Sequence, residues 1–339
     1  MRESTTEHPP AFQLPRGLRN PHVQTVVSNL VRSRRRPNYA RTRLDTADGD
    51  FIDLDLGPEP DDPTGVCLLL HGLEGSAHSG YMVCTSEALA AMGIQAVALN
   101  FRSCSGELNR LPRAYHSGDT GDIACALAWL SERFPGLPRA AVGFSLGGNA
   151  LLNLLGRVGD DGGLAAAVVV SVPYDLAASA TLLDAGPSRL YGRRFLRTLR
   201  DKAREKAARF PGRVPPEAAR ARSLREFDDL LTAPLHGFRD AADYYERCSS
   251  GQFVGSVTIP TLFIHAADDP LAPATSIPHD AIRLRPNLSL LLTEHGGHVG
   301  FLDRTLGAGG RGWLEQSIAR YVSAALSAAG NAEGTRVVV

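Results

Sequence analysis

Three kinds of residue in this chain have the types and spacing for nucleophilic chemistry. Ser145 sits in Gly143-Phe144-Ser145-Leu146-Gly147, a G-x-S-x-G pattern, after an apolar run and before a stretch with helical spacing. A strand turning sharply into a helix would put the serine at a strained corner, with small residues required two positions to either side. Unpaired backbone N–H groups and the helix dipole would favour negative charge developing beside it. A serine hydroxyl is a poor nucleophile near neutral pH and needs a base. Imidazole titrates in the right range, and a carboxylate fixes its tautomer. Both types follow in order: Asp268-Asp269 after the run IPTLFIHAA, and His295 and His298 after LSLLLTE. Asp269 opens the D-x-apolar-x-P turn Asp269-Pro270-Leu271-Ala272-Pro273 and is preferred as the acid, Asp268 being suited to capping the turn. His298 is preferred over His295 because the flanking glycines let its loop double back.

The pattern alone is short enough to arise by chance, so the elements that carry it matter. GVCLLL (65–70), IQAVALNF (94–101), the run before Ser145, LAAAVVVSVP (164–173), TLFIHA and LSLLL read as buried strands separated by helices. This is the rhythm of a parallel sheet covered on both faces. Parallel strands deliver Ser145, Asp269 and His298 to one sheet edge. YARTRLDTADGDFIDLDL (39–56) reads as an antiparallel hairpin ahead of them. His71-Gly72-Leu73 ends the first buried strand, where the Leu73 N–H would join that of Leu146 as an oxyanion hole. His71 suits a turn-shaping role through hydrogen bonds. Asp119 or Thr120 is expected to cap the helix after the polar loop 102–122.

The expected organisation is an N-terminal arm and amphipathic helix (1–37), a first core part (38–173), a helical cap (174–257), a second core part (258–328) and a flexible tail (329–339). In PHVQTVVSNLVRSRRR, Val23, Val26, Val27, Leu30 and Val31 share one helical stripe. Packing of that stripe on the core is the expectation, contact with an anionic membrane surface the alternative. The cap segment Gly186–Glu226 carries thirteen Lys/Arg against four Asp/Glu, usually the mark of a solvated face, with a lipid-facing or anion-facing surface the alternative. Leu190, Phe195 and Leu199 in it suggest an acyl-binding lid as readily as core packing.

Composition excludes other classes. The 339 residues balance 36 basic against 36 acidic side chains, giving no global attraction for nucleic acid. Five cysteines without C-x-x-C spacing argue against a disulfide framework or zinc site. His78, His116, His265 and His279 lack metal-ligand spacing. No stretch has the apolar length of a membrane span, and a cytoplasmic protein is expected.

LPRGLRNPHVQTV, HGLEGSAHSGYM, NFRSCSGELNRLPRAYHSGDTGD, GFSLGGN, APLHGF, ADDPLAP and HGGHVGF together resemble the YheT-like branch of the α/β hydrolases. That branch is related to embryogenesis-associated and membrane-anchored lipase-like members, and the likeness runs from about Leu14 to Leu326. The resemblance implies an α/β-hydrolase fold of about eight strands with a helical cap, and matches Ser145, Asp269 and His298 to the triad. It implies esterase or lipase chemistry on carboxylic esters, some relatives transferring acyl groups to alcohols instead; the triad itself requires no cofactor or metal, and a small-molecule, short- to medium-chain acyl ester is the expected substrate. Peptidase activity and a non-catalytic binding module are the rivals, the second opposed by the intact triad. Unlike the eukaryotic relatives the chain shows no N-terminal membrane span, which weighs against an integral-membrane role.

Overall fold

The computed structural model describes residues 11–32, 37–159, 162–304 and 312–334. Eight strands form one sheet in the order β1-β2-β4-β3-β5-β6-β7-β8. They are β1 (Ala40–Asp45), β2 (Phe51–Leu56), β3 (Gly65–Leu70), β4 (Ile94–Asn100), β5 (Arg139–Phe144), β6 (Leu164–Val170), β7 (Thr261–Ala266) and β8 (Leu288–Thr293). The β1–β2 pair is antiparallel, as the hairpin pattern predicts, and β2 also pairs antiparallel with β4; β3 to β8 pair in parallel.

The inner parallel strands β3 to β7 are mainly apolar because both faces are covered, whereas β8, expected to be buried, lies at the sheet edge with Ser289 and Leu292 exposed. Leu68, Leu70, Ala141 and Val169 belong to one apolar layer; Cys67, Leu69, Val142 and Val170 belong to the other. Helix α1 (Pro21–Arg32) precedes the first strand, and α2 (Gly80–Ala90), α3 (Gly121–Arg133) and α4 (Leu146–Leu152) lie in the connections β3–β4, β4–β5 and β5–β6. The cap expectation for α3 fails: Thr120 precedes the helix without a side-chain cap bond, and the Asp119 carboxylate is taken by Arg113 at 2.7 Å.

Between β6 and β7 the chain is helical, with α5 (Leu176–Leu183), α6 (Arg189–Arg209), α7 (Leu224–Phe227), α8 (Ala233–Leu235) and α9 (Ala241–Cys248). The expected helical cap (174–257) thus consists of several separate helices. This segment has small apolar clusters of its own, one joining Leu196, Ala203, Val214 and Phe227. Two lysines of α6 latch it to the core. Lys202 Nζ lies 2.9 Å from Glu74, and Lys206 Nζ donates to the Leu111, Pro112 and Arg113 carbonyls. After β7 come α10 (His279–Arg283), β8 and α11 (Trp313–Gly334). The tail expected from Ala329 therefore begins inside a helix that runs on to Gly334.

Two further expectations are overturned. The apolar stripe of α1 does not pack on the core: Val23, Val26, Leu30 and Val31 are exposed. The buried side is polar, formed by Gln24, Ser28 and Arg32. These groups outbid the valines because each finds partners. Gln24 bonds both to the carbonyl and to the N–H of Leu302, and Arg32 pairs with the buried Glu315 at 2.7 Å. In the cap, Leu190 points to solvent, leaving Phe195 and Leu199 to line the cavity beneath.

Candidate active site

The sheet order changes direction at β3, whose successor β4 lies on one side and β5 on the other. Loops leaving β3 and β5 therefore diverge, and the crevice between their C-terminal ends is where an open parallel sheet accepts ligands. Ser145 follows β5 and Gly72-Leu73 follows β3. The serine has φ 52° and ψ −118°, a strained conformation for a residue with a side chain. Two glycines make the corner possible. A Cβ on Gly143 would fall 2.6 Å from Gly148 Cα, and one on Gly147 would fall 2.5 Å from the Leu70 carbonyl oxygen. The first lets strand and helix pass in near contact. The second holds α4 against the end of β3, bringing Ser145 beside Leu73.

The remaining groups converge on this corner. Ser145 Oγ lies 3.0 Å from His298 Nε2. His298 Nδ1 lies 3.0 and 2.9 Å from the two carboxylate oxygens of Asp269. A carboxylate only accepts, so Nδ1 carries the proton and Nε2 is free to accept from the serine hydroxyl. Asp269 is itself held, its Oδ1 accepting from the N–H groups of Leu271 and Ala272 at 2.8 and 3.0 Å. Asp268 is turned elsewhere: it accepts from the Gly297 N–H at 2.9 Å and lies 3.1 Å from His295 Nδ1. The pair Asp268–His295 thus braces the loop.

At the end of β3, Gly72 N–H donates to Tyr81 and Glu74 N–H to Tyr115, at 2.9 and 2.8 Å. The Leu73 N–H between them donates to no group among the described residues. Leu146 N–H begins α4, where the first-turn donors have no intrahelical acceptor. His71 is fully buried and shapes this turn: its Nδ1 donates to the Gly72 carbonyl at 2.7 Å, and its Nε2 accepts from Phe101 N–H at 3.1 Å. Burial pushes its pKa down to about 4, keeping it neutral.

Sequence reasoning missed the groups that hold these parts in place. Thr25 of α1 accepts from His298 N–H at 2.9 Å, and Arg32 Nη1 donates to the Val299 and Gly300 carbonyls, each at 2.9 Å. A Cβ on Gly297 would strike the Pro21 carbonyl at 2.4 Å, so the glycines beside His298 admit α1 as well as bending the loop. From the cap, Lys202 clamps Glu74, next to Leu73. Only the polar i, i+4, i+8 spacing of Gln24, Ser28 and Arg32 could have pointed to the first set.

The site opens into a cavity beneath the cap, its walls largely apolar through Leu176, Leu183, Phe195, Leu199, Phe227 and Leu231. Among the described residues no group of three or more His, Cys, Asp or Glu is placed to hold a metal ion. No described helix is long and apolar enough to cross a membrane. All five cysteines are free.

Residues 66–305 match the family described as the alpha/beta hydrolase fold. The Escherichia coli (strain K12) protein named "Putative esterase YheT" is 42% identical over 318 residues, covering 92% of this chain and 93% of its own. Phospholipase ABHD3 of Mus musculus is 32% identical over 289 residues, covering 83% of this chain and 70% of its own. Among solved structures, the Pyrococcus furiosus esterase Pf2001 superposes with a TM-score of 0.55 at 16% identity, over 93% of this chain and 96% of that one. The chain belongs to the α/β-hydrolase family, in its YheT-like branch, and is a hydrolase of the esterase and lipase type.

Proposed function

We propose that this protein hydrolyses short- to medium-chain carboxylic esters through an acyl-enzyme formed on Ser145. The observation that carries the reading is the continuous relay Ser145 Oγ–His298 Nε2 and Nδ1–Asp269, at 3.0 and 2.9 Å, opening on an apolar cavity. His298 takes the hydroxyl proton as Oγ attacks the ester carbonyl, and Asp269 stabilises the imidazolium. The Leu73 and Leu146 N–H groups hold the carbonyl oxygen as it becomes an oxyanion. His298 then returns the proton to the departing alcohol, and the second half-reaction repeats these steps with water as nucleophile. The acyl chain lies against Phe195, Leu199 and their neighbours under the cap, burial of each methylene contributing about 0.8 kcal/mol. The relative named a phospholipase supports a lipid-derived ester as the substrate class.

The test is a rate profile on p-nitrophenyl esters from acetyl to palmitoyl, for wild type and Ser145→Ala. The expected result is a maximum in the short to medium range, with rates at least ~10³-fold lower for the variant at every length. Equal rates for both proteins would overturn the reading. Product analysis with added ethanol distinguishes hydrolysis from acyl transfer.

A further inference from the structure

A surface helix normally turns its apolar stripe inward. In α1 the arrangement is reversed. Gln24, Ser28 and Arg32 are buried, Gln24 and Arg32 bonding to the loop that carries His298, while Val23, Val26, Leu30 and Val31 face solvent, with Val26 46% and Leu30 59% exposed. Exposed apolar surface rimmed by polar residues marks an interaction site. This one is extended by the cap. His22, in the first turn of α1, stacks on Tyr191 of α6 with ring centroids 5.8 Å apart, and the neighbouring Leu190 is 69% exposed. The next turns of α6 supply Phe195 and Leu199 to the cavity wall. The patch therefore borders the catalytic cavity.

The charged residues that flank it along both segments are basic. Arg193, Arg194 and Arg197 follow Leu190 at the three-, four- and seven-residue spacing that places them on one side of α6, and all are exposed. Arg16 and Arg19, just before α1, are exposed as well. No acidic residue occurs between His8 and Leu44, or between Ala185 and Arg200. Apolar side chains that enter an acyl boundary, ringed by arginines, match the chemistry of an anionic bilayer surface. A second copy of the chain fits less well, because a two-fold contact sets a patch against itself and would oppose arginine to arginine.

We propose that the outward face of α1, together with Leu190 and the arginines of α6, docks the protein on an anionic lipid surface and seats the mouth of the cavity there. The proposal extends the lipid-ester reading given above, but its test reads binding and needs no turnover.

Full-length wild type, Val26→Asp/Leu190→Asp and Arg193→Glu/Arg194→Glu are sedimented with vesicles of phosphatidylcholine alone and of phosphatidylcholine with phosphatidylglycerol. Both apolar positions are exposed, and a carboxylate at position 190 lies in the first turn of α6, where the dipole favours it. The fold is therefore retained, and p-nitrophenyl butyrate turnover in solution, unchanged in both variants, verifies it. Wild type is expected to bind the phosphatidylglycerol vesicles, with binding to phosphatidylcholine alone and binding by either variant weaker by about tenfold or more. Wild type that binds neither vesicle, binds both equally, or binds no better than the variants would overturn the proposal. So would light scattering that shows a wild-type dimer split into monomers by Val26→Asp/Leu190→Asp. Ser145→Ala keeps its vesicle binding, which separates a failure of docking from a failure of the catalytic reading.

Discussion

Thr25→Val isolates the contribution of α1 to the chemistry. Thr25 Oγ1 donates to the Pro21 carbonyl at 2.8 Å and accepts from His298 N–H at 2.9 Å. Valine keeps the shape and removes both bonds. The Pro21 carbonyl is an acceptor at the start of a helix; the His298 N–H is a donor in a confined loop and loses its partner. An unpaired buried donor costs about 1–3 kcal/mol, and the loop relieves that cost by leaving the geometry in which His298 Nε2 meets Ser145. At about 2 kcal/mol the productive arrangement becomes ~30-fold rarer, so kcat on p-nitrophenyl butyrate should fall by about that factor. Thr25 does not line the cavity, and KM should stay within about twofold. Thr25→Ser restores the acceptor and should recover most of the rate. A Thr25→Val enzyme with wild-type kcat would refute the reasoning. A Thr25→Ser enzyme as slow as Thr25→Val would assign the effect to packing instead.

Two further outcomes follow from the geometry. Asp269→Asn should lower kcat by about 10⁴-fold, because the amide favours the wrong imidazole tautomer. Asp268→Asn, which disturbs only the bonds to Gly297 and His295, should cost less than about tenfold, and steady-state kinetics on the pair decides between these neighbours. Stability should also depend on acid through His71. Its pKa is about 4 when folded against 6.5 when free, so between those values the unfolded chain binds more protons. This contribution is complete above pH 6.5 and is lost as pH falls toward 4, by about 3 kcal/mol. Denaturant midpoints across that range should show a shallower slope for His71→Asn than for wild type, and equal slopes would count against a buried neutral His71.

The strands and the order Ser145, Asp269, His298 were legible because each depends on local pattern: continuous apolar runs that end in turn residues. The hairpin 39–56 was legible through its alternation. Less could be read where long-range partners decide. The valine stripe of α1 pointed inward by periodicity, but the buried acceptors and the Glu315 carboxylate that capture Gln24 and Arg32 come from residues almost three hundred positions away. The cap blurred for a related reason. Its segments α7 to α9 are short and held by side-chain caps, Ser223 for α7 and Asp240 for α9, so they carry little periodicity of their own. Lys202 reads as one more charge on a basic helix, and its clamp on Glu74 appears only when the cap is placed over the sheet.

The central claim is that Ser145 is the activated nucleophile. Treating the folded protein with a fluorophosphonate and mapping the adduct by peptide mass spectrometry tests it most directly. The account predicts one phosphonyl group per chain, on Ser145, with labelling lost in His298→Ala. Folded protein that stays unlabelled, or an adduct on a different residue, would contradict it.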